Sequence, residues 1–356
     1  MGEGASGIEL ITADAADENS LHEMCGQSRV IISTVGPYAL YGSGLVKVCV
    51  ETGTDYVDLT GEAQWILRML LEHESQAEKS GARIIHCCGF DSVPSDLGVY
   101  HHQKVALEEF GQPATQIRMQ VARMKGAASG GTVASIVNIA REMTKNPALR
   151  KILADPYALV PDGKARARQL NITSPTRDPK TGAWLGPFVM AGINTRIVHR
   201  SNALGGYDYG KDFLYDESMR MGRGLKGGLA ATALTGGLGA FMAGAVLPPS
   251  RWVMEKYILP KPGEGPSPEQ QRDGMYEVRF YGTTASGNTS TTRVTGDRDP
   301  GYGSTAKILG EAGACLAQDI AKTDVGGGFW TPATALGDAL RRRLVQHAGL
   351  TFEVCD

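Results

Sequence analysis

Two residue types in this chain could handle a proton beside a bound small molecule. Asp91 follows directly on Gly89-Phe90, where an apolar run stops, and a carboxylate just past a strand is well placed for acid–base work. The same residue could instead be a turn or cap residue bonding the backbone near Ser92. Tyr38 and Tyr41 follow Thr34-Val35-Gly36-Pro37. Either phenol could donate a proton or a hydrogen bond, or simply pack with its hydroxyl in water. Gly36 would let a ligand come close to the backbone, and Pro37 would fix the turn. His86 reads as a core residue. Cys87-Cys88 reads as small apolar filling, because no neighbouring histidine would activate Cys88. No spacing of His, Cys, Asp or Glu points to a metal.

Short strands must carry these residues. Val30–Ser33 is a β-branched apolar run, expected to be buried on both faces and ended by Gly36-Pro37. A helix follows, with Leu45, Val46, Val48, Cys49 and Val50 apolar, closed by Gly53. Tyr56–Leu59 is a second strand, ended at Thr60-Gly61-Glu62. Trp65–Lys79 is a helix with Ile66, Met69 and Leu70 on one side, and Arg83–His86 is a third strand. Strand and helix alternating at this spacing make a parallel α/β sheet, whose ligands lie beyond the carboxyl ends of the strands. The loops 34–38, 60–62 and 88–91 are therefore expected to close on one cleft.

Elsewhere the pattern is sparser. Ile8–Asp14 reads as a strand ending in a carboxylate, and Asp17–Met24 as a helix. Gln116–Met124, Phe188–His199 and Tyr276–Tyr281 read as strands, with Thr291–Thr295 a partner for the last. Gly130–Met143 reads as a helix of small residues, and 260–268 as a loop. Thr331-Pro332 is a good helix start, with Thr as N-cap, for a helix Ala333–Gln346. Leu350–Val354 is a last short strand.

Composition excludes more than it selects. A net charge of -2 gives no argument for nucleic-acid binding, and 42% hydrophobic with 21% charged residues is ordinary for a globular chain. The cysteines form no CxxC pair, and no secretory signal opens the sequence, so an intracellular protein with reduced thiols is expected.

Three strings, STVGPYALYGSGLV, GTDYVDLTGE and HCCGFDSVPSDLG, resemble the saccharopine dehydrogenase-like oxidoreductases. More narrowly they are similar to the branch that includes the trans-acting enoyl reductases. The likeness resumes at GDRDPGYGSTAKILGEAGACL and GGGFWTPATALGDALRRRL. It implies an α/β fold: an incomplete Rossmann-like parallel sheet domain over 1–125, a second α+β domain over 126–326, and a helix and strand over 327–356 returning to the first. It implies NADP as cofactor, held beside Ser33, Thr34, Val35, Gly36 and Pro37, with Gly61, Glu62, Cys88, Gly89 and Phe90 from the other two loops and Asp14 within reach of ribose or adenine. Tyr38 and Asp91 are the catalytic candidates. The implied reaction is reduction of an enoyl or related acyl intermediate in lipid or polyketide synthesis. Saccharopine itself, a polar amino diacid, would need convergent basic groups. The alternative is a lipid-droplet or membrane-associated binding protein that keeps the fold without turnover.

The resemblance also implies a strand, glycine loop and helix ahead of residue 8, and none is in the sequence. NADP binding by residues 1–356 alone is therefore expected to be weak or absent. Two G-x-G-x-x-G strings occur. Gly2–Gly7 precedes a strand, and Gly222–Gly227 follows a charged stretch read as helical, so neither has the strand-to-helix context that cradles phosphate. Residues 141–170 carry seven Lys/Arg against three Asp/Glu, either a docking face for a phosphate-bearing acyl carrier or a solvated surface. Residues 227–247 carry no charge. They form either a tightly packed helix or loop, or an apolar surface that touches lipid.

Overall fold

In chain order, α1 (Glu18–Gly26), β1 (Val30–Ser33), α2 (Tyr38–Tyr41), α3 (Ser43–Thr52), β2 (Asp55–Asp58), α4 (Ala63–Ser80), β3 (Arg83–Ile85) and α5 (Val93–Phe110) wind a first layer. Then come β4 (Ala114–Lys125), α6 (Gly130–Lys145), α7 (Ala148–Ala154), β5 (Thr176–Arg177), β6 (Trp184–Pro187), α8 (Ala191–Leu204), β7 (Leu214–Arg220), α9 (Gly224–Val246), α10 (Pro248–Tyr257), α11 (Pro268–Arg272), β8 (Met275–Thr284) and β9 (Thr289–Gly296). A π-helical turn at Pro300–Ser304 leads into α12 (Thr305–Gln318), β10 (Gly328–Trp330), α13 (Pro332–Ala335), α14 (Gly337–His347) and β11 (Leu350–Cys355). The structure, a computed structural model, describes residues 7–126, 130–161, 167–257, 259 and 265–355, with the backbone alone at 255.

Two sheets result. The first has the order β1-β2-β3-β10, every pair parallel, with Ile31 level with Tyr56 and Tyr56 level with Ile84. The second has the order β11-β9-β8-β4-β7-β6-β5, antiparallel except where β4 runs parallel to β7. This is the α/β fold expected from the sequence. Helix α5 is pressed between them. A Cβ on Gly98 would lie 2.2 Å from the Phe280 ring, so only glycine lets the helix approach β8 this closely. On the same helix His102 bonds the hydroxyls of Thr292 and Ser290 at 2.9 and 3.0 Å, and burial pulls its pKa down to about 4.

The strands and helices of the first 110 residues fall close to expectation, and α3 ends at Gly53 with φ 72°, the left-handed cap that glycine favours. Five expectations need correction. Residues 8–14 form no strand. They run exposed, Leu10 at 76%, because a strand persists only with a hydrogen-bonded neighbour and none of the described residues pairs there. Val30–Ser33 is an edge strand and not buried on both faces: Ile32 is 46% exposed.

Phe188–His199 is mostly helix α8, not a strand. Buried Ile193, Ile197 and Ser201 recur at the i, i+4, i+8 spacing of a helix face. The helix at 333–346 is broken at Leu336-Gly337, where φ is 41°, although Thr331 does cap it, its hydroxyl bonding the Thr334 amide. The chain's last strand does not return to the parallel sheet: β10 does, beside β3, while β11 pairs with β9 in the second sheet. Of the loop read at 260–268 and the first glycine string, residues 260–264 and 2–6 lie outside the described set.

Candidate active site

The carboxyl ends of β1, β2 and β3 open into one cavity of about 330 Å³. Thr34, Gly36 and Tyr38 reach it from the first loop, Thr60 and Gly61 from the second and Asp91 from the third. The three loops thus close on one cleft, as their common place after parallel strands required. The far wall comes from α6, through Ser135, Ile136 and Ile139, and from the start of α12, through Thr305 and Leu309. A smaller cavity of about 120 Å³ adjoins it, and Asp91, Leu59 and Met190 line both.

Asp58 organises the floor. One carboxylate oxygen accepts the amides of Thr60 and Cys87, each at 3.1 Å, and the other lies 2.7 Å from His86 Nδ1. Its own carbonyl accepts the Cys88 amide at 2.6 Å. Glu62 does a similar service for the first loop. Its carboxylate accepts the Tyr38 and Ala39 amides at 2.8 and 3.1 Å and the Ser135 hydroxyl at 2.9 Å, while burial pushes its pKa up. Glu62 therefore ties α2 to α6 and presents no free oxygen toward a ligand in this arrangement. Tyr38 is buried, and its hydroxyl donates to the Ser33 carbonyl at 2.9 Å. Burial and the charge of Asp58 raise its pKa far from neutrality, so the geometry favours packing over proton donation.

Cys88 is fully buried, and burial pushes its thiol up, as small apolar filling should behave. Gly89 sits where a Cβ would be 3.2 Å from both Leu59 and Thr305, and the Phe90 amide donates to the Thr305 hydroxyl at 2.9 Å. Pro37 follows Gly36 through a cis bond, Val35 is exposed, and Asp14 lies in an exposed turn, accepting the Ala16 amide, and is not part of the cavity wall.

Asp91 differs from all of these. Among the described residues no group hydrogen-bonds its carboxyl, which lies between the two cavities. Burial, reinforced by the nearby charge of Glu217, raises its pKa to about 7. Ser92, next in the chain, is held at φ 92°. Its hydroxyl donates to Asn194 Oδ1 at 2.9 Å, and Asn194 Nδ2 donates to Glu217 Oε2 at 2.9 Å. Tyr215 donates to Glu217 Oε1 at 2.7 Å, and Glu217 too is raised to about 7, chiefly by burial. Asn194, Tyr215 and Glu217 were missed from sequence. The only signal was the alternation of Tyr215 and Glu217 on β7, hidden because that charged stretch reads as a helix.

Residues 4–85 match the family model of the saccharopine dehydrogenase NADP-binding domain. A protein of Mycobacterium tuberculosis H37Rv named as a trans-acting enoyl reductase is 40% identical over 368 residues, spanning 99% of this chain and 86% of its own length. The trans-acting enoyl reductase of Mycobacterium ulcerans is 38% identical over 364 residues, 97% and 85% of the two chains. The chain belongs to the saccharopine dehydrogenase-like oxidoreductases, on the trans-acting enoyl reductase branch. Apo saccharopine dehydrogenase (L-glutamate forming) of Saccharomyces cerevisiae shares the fold, with a TM-score of 0.53 at 14% identity over 99% of this chain and 91% of its own.

For a saccharopine dehydrogenase-like chain the cavity lining fits the ring end of NADP: strand ends, the Gly36 backbone and apolar walls. No Lys or Arg lines it among the described residues, so it does not account for the phosphates. The Gly222–Gly227 string corrects its sequence reading, since it does run from strand β7 into helix α9. A Cβ on Gly227 would meet the Gly222 carbonyl at 2.5 Å, so this glycine packs helix against turn. The string is nonetheless absent from the cavity wall. Among the described residues one set, Glu18, His22 and Glu51, could converge on a cation, but it is largely exposed, and Lys47 ion-pairs with both carboxylates.

Proposed function

We propose that this chain reduces the carbon–carbon double bond of an α,β-unsaturated acyl thioester, with NADPH as reductant and Asp91 as proton source. When bound, NADPH would supply the hydride to the β-carbon, leaving the electron pair of the double bond as an enolate on the thioester. Asp91 then gives its proton to the α-carbon. A carboxyl group with a pKa of about 7 is protonated often enough near neutrality to act as an acid and is readily reloaded. Ile136, Ile139, Leu309 and Met190 offer an apolar bed for the acyl chain, and the Gly36 and Gly61 backbones leave room beside it. The names of the mycobacterial relatives and the matched domain support this reading. A carrier-bound substrate suits the exposed bases Lys145, Arg150 and Lys151, which continue α6 and α7 beyond the cavity.

The observation that carries the proposal is the lone carboxyl of Asp91 in a largely apolar cavity at the meeting of the three loops. The test is NADPH oxidation with a 2-enoyl thioester. Asp91→Asn should lower kcat by about 100-fold, within the span typical of general acids, with little change in KM for NADPH. Full turnover by the variant would remove Asp91 from the reaction. No turnover with any enoyl thioester by an unaltered chain shown by fluorescence titration to bind NADPH would favour the non-catalytic alternative.

A further inference from the structure

Helix α9 is apolar and poorly enclosed. No charged residue lies between Lys226 and Arg251, yet only 11% of its most apolar stretch is buried, and Leu225 and Leu229 stand 80% and 63% exposed. A core helix of this composition would be covered on most sides. What fastens α9 is a narrow stripe of small residues. Gly228 lies where a Cβ would be 3.2 Å from Trp184, Leu234 and Ala231 approach Gly186, and Ala245 packs with Val137 and Ala140 of α6. The stripe runs nearly the whole helix, so α9 cannot cross a bilayer without leaving the protein, although its 23 residues would be long enough. It can lie along a surface.

Helix α10 folds back on α9 and carries what such a surface favours. Trp252 and Tyr257 are exposed, 6.1 Å apart edge to face, and Lys256 lies 4.8 and 5.2 Å from their rings. Trp and Tyr are the side chains that settle at a membrane–water boundary, apolar ring inward and polar tip at the headgroups. From residue 222 to 257 the charges are Arg223, Lys226, Arg251 and Lys256 against Glu255 alone, an excess of bases that complements anionic headgroups.

We infer that the α9–α10 hairpin seats this protein on an anionic lipid surface, with Leu225, Leu229, Leu247 and Trp252 in contact with lipid. The helix α6 links that surface to the cavity, since Val137 and Ala140 pack beneath the hairpin while Ile136 and Ile139 line the cavity. A long acyl chain would therefore pass from lipid to the site along one helix. The inference stands on exposure and charge and does not require the reduction chemistry.

The test is co-sedimentation of the full chain with sucrose-loaded vesicles of phosphatidylcholine, alone or with 30% phosphatidylglycerol (roughly the anionic content that gives a strong surface potential). The chain should pellet with the anionic vesicles at least tenfold more strongly than with the neutral ones, less so at high salt. The double variant Leu229→Asp, Trp252→Glu should lose at least tenfold in partitioning while keeping its circular dichroism and Tm, both positions being exposed. Leu225→Asp should act in the same direction if the double variant fails to fold. No pelleting with anionic vesicles, equal pelleting by the folded variants, or loss in these variants only of binding to an acidic acyl carrier protein would each overturn the inference.

Discussion

Asp58, which ends β2, and Asp91, in the loop after β3, stand at one sheet edge, and they do opposite work. Asp58 is saturated, with two amides and a histidine on its carboxylate. Asp91, at the end of the next strand-and-loop unit, has no hydrogen-bond partner for its carboxyl among the described residues and faces open cavity. A buried carboxyl group that holds three hydrogen bonds from separate segments is a structural brace, because losing it would leave each of those partners unpaired. A carboxyl held in an apolar place without partners is the one free to exchange a proton. The count of partners separates the two roles.

The largest effect is expected at the brace. Asp58→Ala leaves two buried amides and His86 without their acceptor and should destabilise the chain by about 3–5 kcal/mol, a large part of the stability of an ordinary domain. Urea unfolding would show it. An unchanged midpoint would mean that the floor of the cavity is held by something else.

A smaller effect is expected at the rim. In Gly36→Val a Cβ would stand 3.3 Å from the Tyr38 ring, and its methyls would project where the first loop meets the cavity. We expect KM for NADPH to rise about tenfold, about 1.4 kcal/mol, with the urea midpoint nearly unmoved. If binding is untouched, the first loop does not lie against the cofactor.

The third expectation concerns pH. Turnover should fall as pH rises through about 7, because only the protonated Asp91 carboxyl can give a proton. The negative charge of Glu217 raises that pKa, so Glu217→Gln should move the falling limb to lower pH, with kcat at pH 6 reduced less than the limb is displaced. Stability follows the same sign. Between about pH 4 and 7 the unfolded chain has released protons that the folded chain still holds on Asp91, so stability declines as pH rises through that window. Glu217→Gln should flatten the decline. A limb that stays in place in this variant would sever Glu217 from the site.

The rim was legible in the sequence because Gly36-Pro37, Thr60-Gly61 and Gly89 each cut an apolar run, and a parallel sheet brings such cuts to one edge. The supports behind it were not. Asp58 carries no sequence signal beyond its place at the end of a strand, and Glu62 reads by resemblance as a cofactor contact and not as a brace, since what they bond is set by the crossing of loops far apart in sequence. Glu217 was hidden because β7 buries adjacent charged residues, Asp216 and Glu217, on both of its faces, and such a charged run resembles a solvated helix. Residues 188–199 misled for the opposite reason: Ile, Thr and Val favour strands locally, while the spacing of Ile193 and Ile197 against the core decided for helix. Residues 8–14 have strand-like composition, and strand is a property of a pair of segments.

Strand β10 lies beside β3, and β11 closes the other sheet against β9. Each sheet thus takes an edge strand from residues 328–355. The pairing of β10 with β3 must close a loop of more than two hundred residues, so the first sheet is completed only through a contact distant in sequence. Early in synthesis β3 waits with one side unpaired, the kind of exposed edge that invites association with other chains. The first sheet therefore stays open beside β3 until this long-range pairing forms.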